Sequence, residues 1–199
     1  MPVNAKAEPG IVGVLLAAGR GTRFGGDKLL ARLSSGDLPG EPVGVVALRH
    51  LRMALPDVIA VVRPDDHALA AELGANGAHI VRCANADDGM GASLACGVRA
   101  SAQAQGWVVA LADMPWIAPA TIMRVAAAIA HGAPLAAPFH DGRRGHPVGF
   151  SHDCYDALAA LTGDDGAKAI VEVRSDQLAR IDTDDAGVLR DVDTMKDLH

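Results

Sequence analysis

The sequence predicts an α/β fold, a three-layer α/β/α arrangement around a mostly parallel sheet, and three observations carry that reading. Short continuous apolar runs alternate with longer segments of helical periodicity, which is the pattern of βαβ units. The runs do not alternate with polar residues, so each strand is expected to be covered on both faces. At 199 residues the chain is long enough for one such domain with a full core and too short for two ordinary enzyme domains.

Residues 1–10 read as a loose leader, and 11–199 as the domain itself. Strands are predicted at 11–17, 58–62, 79–82, 107–111 and 134–137, each a short apolar stretch. Helices are predicted between them at 43–54, 65–73, 92–103 and 119–130. The last of these opens on Pro119, at a first-turn position where its missing N–H costs nothing. In the second half the pattern gives a strand at 147–150, helices at 151–161 and 167–174, and short strands near 179–181 and 188–192. The segment 34–40, Ser-Ser-Gly-Asp-Leu-Pro-Gly, reads as an exposed loop.

Composition narrows the functional classes. Half the residues are hydrophobic but only 3% are aromatic, so the core must be aliphatic. A disordered chain is excluded, and a nucleic-acid platform of stacked aromatics is disfavoured. The formal net charge of −6, without a basic stripe, also speaks against nucleic-acid binding. Positive charge is local instead: Arg20, Arg23 and Lys28 stand against a single Asp27. Cys83, Cys96 and Cys154 are far apart with no metal-ligand spacing and read as reduced, buried thiols. The apolar run at 11–18 is too short to span a bilayer, and Lys6 is offset by Glu8, so neither a membrane anchor nor a signal peptide is expected. The expected location is the cytoplasm.

The most informative stretch follows the first strand: Leu16-Ala17-Ala18-Gly19-Arg20-Gly21-Thr22-Arg23-Phe24-Gly25-Gly26-Asp27-Lys28. A buried strand running into a glycine-rich loop lets backbone N–H groups approach phosphate oxygens, with Lys28 closing the loop. Two familiar phosphate motifs do not fit. Lys28 is followed by Leu29, not the Ser or Thr of a P-loop, and Phe24 stands where the dinucleotide fingerprint needs its third glycine. The stretch does closely resemble the signature of the MobA-like NTP transferase family, and within it the molybdenum cofactor cytidylyltransferase branch. That resemblance extends over nearly the whole chain. It implies a Rossmann-like fold of the nucleotide-diphospho-sugar transferase type, with a small antiparallel C-terminal part. It also implies a nucleotide-binding half at 11–115 and an acceptor-binding half at 116–199.

Five further stretches fall in the family's order. Asp88-Gly89-Met90-Gly91-Ala92-Ser93 enters a helix and is similar to a nucleotide-contacting loop. Leu111-Ala112-Asp113-Met114-Pro115 ends a strand in a carboxylate that is well placed for Mg²⁺, and the resemblance makes Asp113 a metal ligand. Arg144-Gly145-His146-Pro147 is similar to the branch's Gly-His-Pro stretch on the acceptor side. Gly163-Asp164-Asp165-Gly166-Ala167-Lys168 resembles a Gly-Asp-x-Gly-Ala-Arg turn, with Lys168 in place of the arginine fork. Near the C-terminus, Asp191-Val192-Asp193-Thr194 is followed by Met195 where the family carries Pro, and Asp193 is the candidate second metal ligand.

The expected site is then explicit. Lys28, Arg23 and Asp113 would be catalytic. Ala17, Ala18, Gly19, Arg20, Gly21, Lys28, Gly89, Met90 and Ser93 would bind nucleotide. Gly145, His146, Asp164 and Lys168 would bind the acceptor, and Asp113 with Asp193 would hold Mg²⁺. The implied substrates are an NTP, CTP favoured, and a phosphorylated pterin-type acceptor such as molybdopterin, with a molybdoenzyme as a possible recipient of the product. The alternatives are a guanylyl-, uridylyl- or thymidylyltransferase, and a non-catalytic maturation partner that binds cofactor for a molybdoenzyme.

Overall fold

A computed structural model describes residues 10–21, 24 and 26–199. Most of the predicted leader, together with Thr22, Arg23 and Gly25, lies outside the described residues.

The strands are β1 (Ile11–Leu16), β2 (Val58–Val62), β3 (His79–Arg82), β4 (Gly106–Leu111), β5 (Leu135–His140), β6 (Arg143–Arg144), β7 (Val148–Ser151) and β8 (Leu178–Asp182). The helices are α1 (Val43–Ala54), α2 (His67–Ala75), α3 (Met90–Ala100), α4 (Pro119–Ala130), α5 (Tyr155–Ala159) and α6 (Lys168–Val173). All strands join one sheet in the order β3-β2-β1-β4-β7-β5-β6, with β8 also paired to β5. The run β3-β2-β1-β4 is parallel, and so is β5 with β8. The strand β7 runs antiparallel between β4 and β5. A mostly parallel sheet with an antiparallel minority is therefore the fold, as the sequence predicted.

The apolar runs are continuous because both faces of the sheet are covered. Neighbouring residues of one strand feed opposite cores: Leu15, Val58, Ala60, Val62, Val108 and Ala110 face one, while Val14, Ile59, Val61, Trp107 and Val109 face the other. Helices α1, α2 and α4 cover the first face, and α3, α5 and α6 the second. Burying each Leu, Val or Ile contributes roughly 1.5–3 kcal/mol. At Gly97 the helix α3 comes so close to the sheet that a Cβ would lie 2.8 Å from Val14 Cγ1.

One predicted strand is corrected. Residues 188–192 form no strand; Ala186–Leu189 is a short 3-10 turn and 191–192 continue without ladder pairing. Val188 and Val192 are apolar because they are buried in the first core, not because they line a sheet. Asp185 holds this turn by accepting from the Gly187 N–H at 3.0 Å. Smaller shifts are at element ends: α3 begins at Met90, two residues earlier than expected, and a 3-10 turn at His152–Cys154 precedes α5. Among the described residues no helix is long and apolar enough to cross a membrane.

Candidate active site

Strand β1 leads through α1 to β2 on one side, while β4 lies on its other side and is reached through α3 on the opposite face. This reversal opens a crevice beyond the carboxyl ends of β1 and β4, where open α/β sheets take ligands. The glycine-rich loop after β1 and Asp113 after β4 meet there. Lys28 opens a 3-10 turn whose next residue, Leu29, is buried in the core. That anchor holds the Lys28 ammonium in the crevice, where it donates to Asp113 Oδ2 at 2.7 Å and lies 3.7 Å from Asp193 Oδ1.

Asp193 is brought there by backbone. The Val192 N–H donates to the Asp113 carbonyl at 2.8 Å, laying 191–193 beside the end of β4. The cap of the following turn is Thr194 with Asp197, whose carboxylate accepts from Thr194 N–H, Thr194 O–H and Asp193 N–H. Burial, then the charges of Asp193 and Asp113, push the Asp191 carboxyl above its usual range, with Lys28 opposing. Among the described residues no group of three His, Cys, Asp or Glu side chains is arranged to hold a metal ion. Two carboxylates converging on one ammonium still fit a hard cation whose remaining ligands are substrate phosphates and water.

A cleft of ≈ 350 Å³ opens beside Lys28. Of the expected nucleotide residues, Ala18, Gly19, Arg20, Gly21, Lys28, Gly89, Met90 and Ser93 line it, and so does Asp113. Ala17 does not: it is buried in the core and its N–H donates to the Val61 carbonyl at 2.9 Å. Ser93 O–H is turned back onto the Gly89 carbonyl at 3.3 Å. Arg23 lies outside the described residues. Asp164, expected on the acceptor side, lines this cleft as well. The reason is a close approach between two motifs. Gly89 has φ +118°, and a Cβ there would lie 2.3 Å from Asp164 Oδ1 and 2.5 Å from the Gly163 carbonyl oxygen. The Gly91 N–H then donates to the Gly163 carbonyl at 2.8 Å, tying the segments together.

A second cavity of ≈ 250 Å³ shares Leu16, Met90 and Leu111 with the first. Arg144, Gly145, His146 and Lys168 line it over an apolar floor that includes Val109, Val148 and Phe150. His146 presents a buried Nδ1 with no hydrogen-bond partner. Burial, reinforced by the Arg144 charge and opposed by Asp113, holds the imidazole below its ordinary value, so the ring is neutral near pH 7. Gly145 packs against the Val188 carbonyl, where a Cβ would sit 2.4 Å from the oxygen. Lys168 is exposed and lies 3.9 Å from Glu172.

Two charged lining residues were not found by motif. Arg63, one residue past β2, and Asp87 meet across the first cleft. Asp87 also accepts twice from Arg20 Nη2, at 2.8 and 2.9 Å. The Arg63 guanidinium, and then Arg20, hold the Asp87 carboxyl below its usual range. The position of Arg63 at the carboxyl end of a parallel strand was the signal available in the sequence.

The description of the MobA-like NTP transferase domain matches residues 13–181. The purine catabolism protein PucB of Bacillus subtilis (strain 168) is 31% identical over 201 residues, covering 94% of this chain and 93% of the relative. The nicotine blue oxidoreductase of Paenarthrobacter nicotinovorans is 29% identical over 199 residues, covering 96% of each. Rv0371c of Mycobacterium tuberculosis H37Rv has a similar crystal structure, with a TM-score of 0.76, 27% identity and 96% of each chain covered. A second crystal structure of Rv0371c, a complex with manganese, superposes with a TM-score of 0.73 at 27% identity, covering 94% of this chain and 95% of that one.

Proposed function

The chain belongs to the MobA-like NTP transferase family and is a nucleotidyltransferase, and from that premise we propose that it moves CMP from CTP to a phosphorylated pterin-type acceptor, releasing pyrophosphate. The observation that carries the reading is the Lys28 ammonium, held by Asp113 and Asp193 beside the larger of two cavities that adjoin through Leu16, Met90 and Leu111. The larger takes the nucleotide and the smaller, with Arg144, His146 and Lys168, takes the acceptor.

An acceptor phosphate oxygen forms the new bond to the α-phosphorus, and the bond from that phosphorus to the α,β-bridging oxygen breaks. Pyrophosphate leaves with the electron pair. A phosphate monoester is already largely ionised at neutral pH, with a second pKa of about 6, so no general base is required. What the reaction needs is alignment and charge neutralisation. Lys28 neutralises the phosphates, with Arg23 from the same loop as its proposed partner, and the loop around Gly19 and Gly21 lies along them. Asp113 and Asp193 would hold Mg²⁺, which would offset the charge of the phosphates. The manganese complex of Rv0371c supports a divalent cation in this role.

The base preference rests on Ala18, whose methyl group narrows the cleft wall beside the loop backbone and suits a pyrimidine. The name of the Paenarthrobacter relative is a redox one. Phe24, in the place of the third glycine of a dinucleotide fingerprint, does not favour a nicotinamide site here. The test is pyrophosphate release with CTP, GTP, UTP and ATP, each with molybdopterin and with other phosphorylated acceptors. The reading expects CTP to give the highest kcat/KM. A GTP value equal to it or higher would overturn the cytidylyl assignment. No release with any pair would point to a cofactor-binding maturation partner.

A further inference from the structure

The cations that face the nucleotide cleft are not confined to the glycine-rich loop. A groove of ≈ 520 Å³ runs along the far side of that loop and shares Arg20, Lys28 and Arg63 with the cleft. Each of the three is paired with a carboxylate: Lys28 with Asp113, and Arg20 and Arg63 both with Asp87. Arg63 is the most firmly placed of the two arginines. Its side chain is 14% exposed against 60% for Arg20, and Asp65 steadies it at 3.4 Å. Beyond the shared edge the groove turns acidic with Asp65 and Asp66, and Asp66 is already occupied in capping α2 through the Leu69 N–H. The shared edge, with three cations, is therefore where the groove most favours an anion.

We propose that Arg63 is a third cation of the polyphosphate clamp, and that Asp87 is its internal placeholder, displaced when the β- and γ-phosphates arrive. The inference rests on the nucleotidyltransfer reading above. A guanidinium fork matches phosphate oxygens as well as it matches a carboxylate, and a polyphosphate carries more charge than one carboxylate. The Asp87 side chain is 57% exposed, so water can take up its carboxylate when phosphate displaces it from Arg63. Arg63 also reaches the cleft from the end of β2, so it supplies charge from outside the glycine-rich loop.

The experiment is calorimetric titration of the full chain with inorganic pyrophosphate, comparing wild type, Arg63→Gln, Arg63→Lys and Asp87→Asn. Arg63→Gln should weaken binding by about tenfold or more, with Arg63→Lys intermediate because it keeps charge but loses the fork. Asp87→Asn should tighten it several-fold, because the competing carboxylate is gone. If Arg63 and Asp87 serve only to clasp the two loops together, breaking the clasp from either side weakens binding alike. Weakened binding in Asp87→Asn therefore overturns the proposal, even if Arg63→Gln fails to fold. Unchanged pyrophosphate affinity in a folded Arg63→Gln overturns it too. Pyrophosphate release by the wild type, assayed separately, tests the transferase reading without involving Arg63.

Discussion

At the residue scale the site is a balance of charges that a substrate must rearrange. Removing the Lys28 ammonium, or the Asp113 carboxylate it meets at 2.7 Å, should each cut turnover by roughly 10²-fold or more, the scale of one lost transition-state partner at about 2.7–4 kcal/mol. Pyrophosphate release by Lys28→Ala and Asp113→Ala measures this, and near-normal turnover in a folded variant defeats the assignment. The two losses should not add, because the side chains act on one another. Lys28, Asp113 and Asp193 were legible because each closes a strand or turn within a recognisable motif. Arg63 and Asp87 were not, since a pair 24 residues apart leaves no local spacing to read. His146 carries a pH signature of its own. Its folded value lies below the ordinary one, so on acidification the unfolded chain binds a proton that the native chain resists. The native state should lose stability as pH falls through the ordinary histidine range, about 6.5, toward the lower folded value. His146→Gln should flatten that part of a plot of melting temperature against pH, and an NMR titration of His146 at or above the ordinary value would contradict it.

At the scale of elements, the strands and helices that place the site were largely readable, because a continuous apolar run has one economical use in a doubly covered sheet. The exceptions have tertiary causes. Residues 188–192 look like a strand by apolarity alone, yet Val188 and Val192 serve as plugs in the core while Asp185 bends the chain between them and β8. The hairpin between β5 and β6 was missed although Asp141-Gly142 is a strong turn signal, and both residues have positive φ, +49° and +75°. Asp185 does further work at a distance. Its carboxylate accepts from the Ala118 N–H at 2.9 Å and the Thr121 hydroxyl at 2.7 Å, capping α4 from outside the helix's own sequence. That cap fixes the segment after Asp113, so it ties the C-terminal turn to the active-site strand. Asp185→Ala should lower stability by about 1–3 kcal/mol, the cost of a lost cap plus an orphaned buried donor. A urea midpoint unchanged from wild type, with the same slope, would show that the cap contributes nothing.

At the scale of the whole molecule, a chain of net charge −6 must attract a more strongly anionic substrate. It does so by setting Lys28, Arg20 and Arg63 around one crevice and pairing them with carboxylates until the substrate comes. On the proposed mechanism the same arrangement would couple the metal to the nucleotide. Without nucleotide, Asp113 and Asp193 are engaged with Lys28, and no third carboxylate or histidine among the described residues completes a cation site with them. A triphosphate that drew the ammonium toward its oxygens would release Asp113 from Lys28 and bring phosphate ligands of its own for a cation. Mg²⁺ should thus bind weakly to the protein alone and at least about tenfold more tightly in the presence of a non-hydrolysable CTP analogue. Linkage requires the converse: Mg²⁺ should tighten the analogue's binding to the protein by the same factor, once the analogue's own affinity for Mg²⁺ is subtracted. Titrations run in both orders measure the two factors independently. Lys28→Ala should shrink the coupling from the metal side, because Asp113 is then no longer held by the ammonium before the nucleotide arrives. Equal Mg²⁺ affinity with and without the analogue would mean that the metal site does not depend on Lys28 leaving it, and full turnover in excess chelator would remove the metal from the reaction altogether.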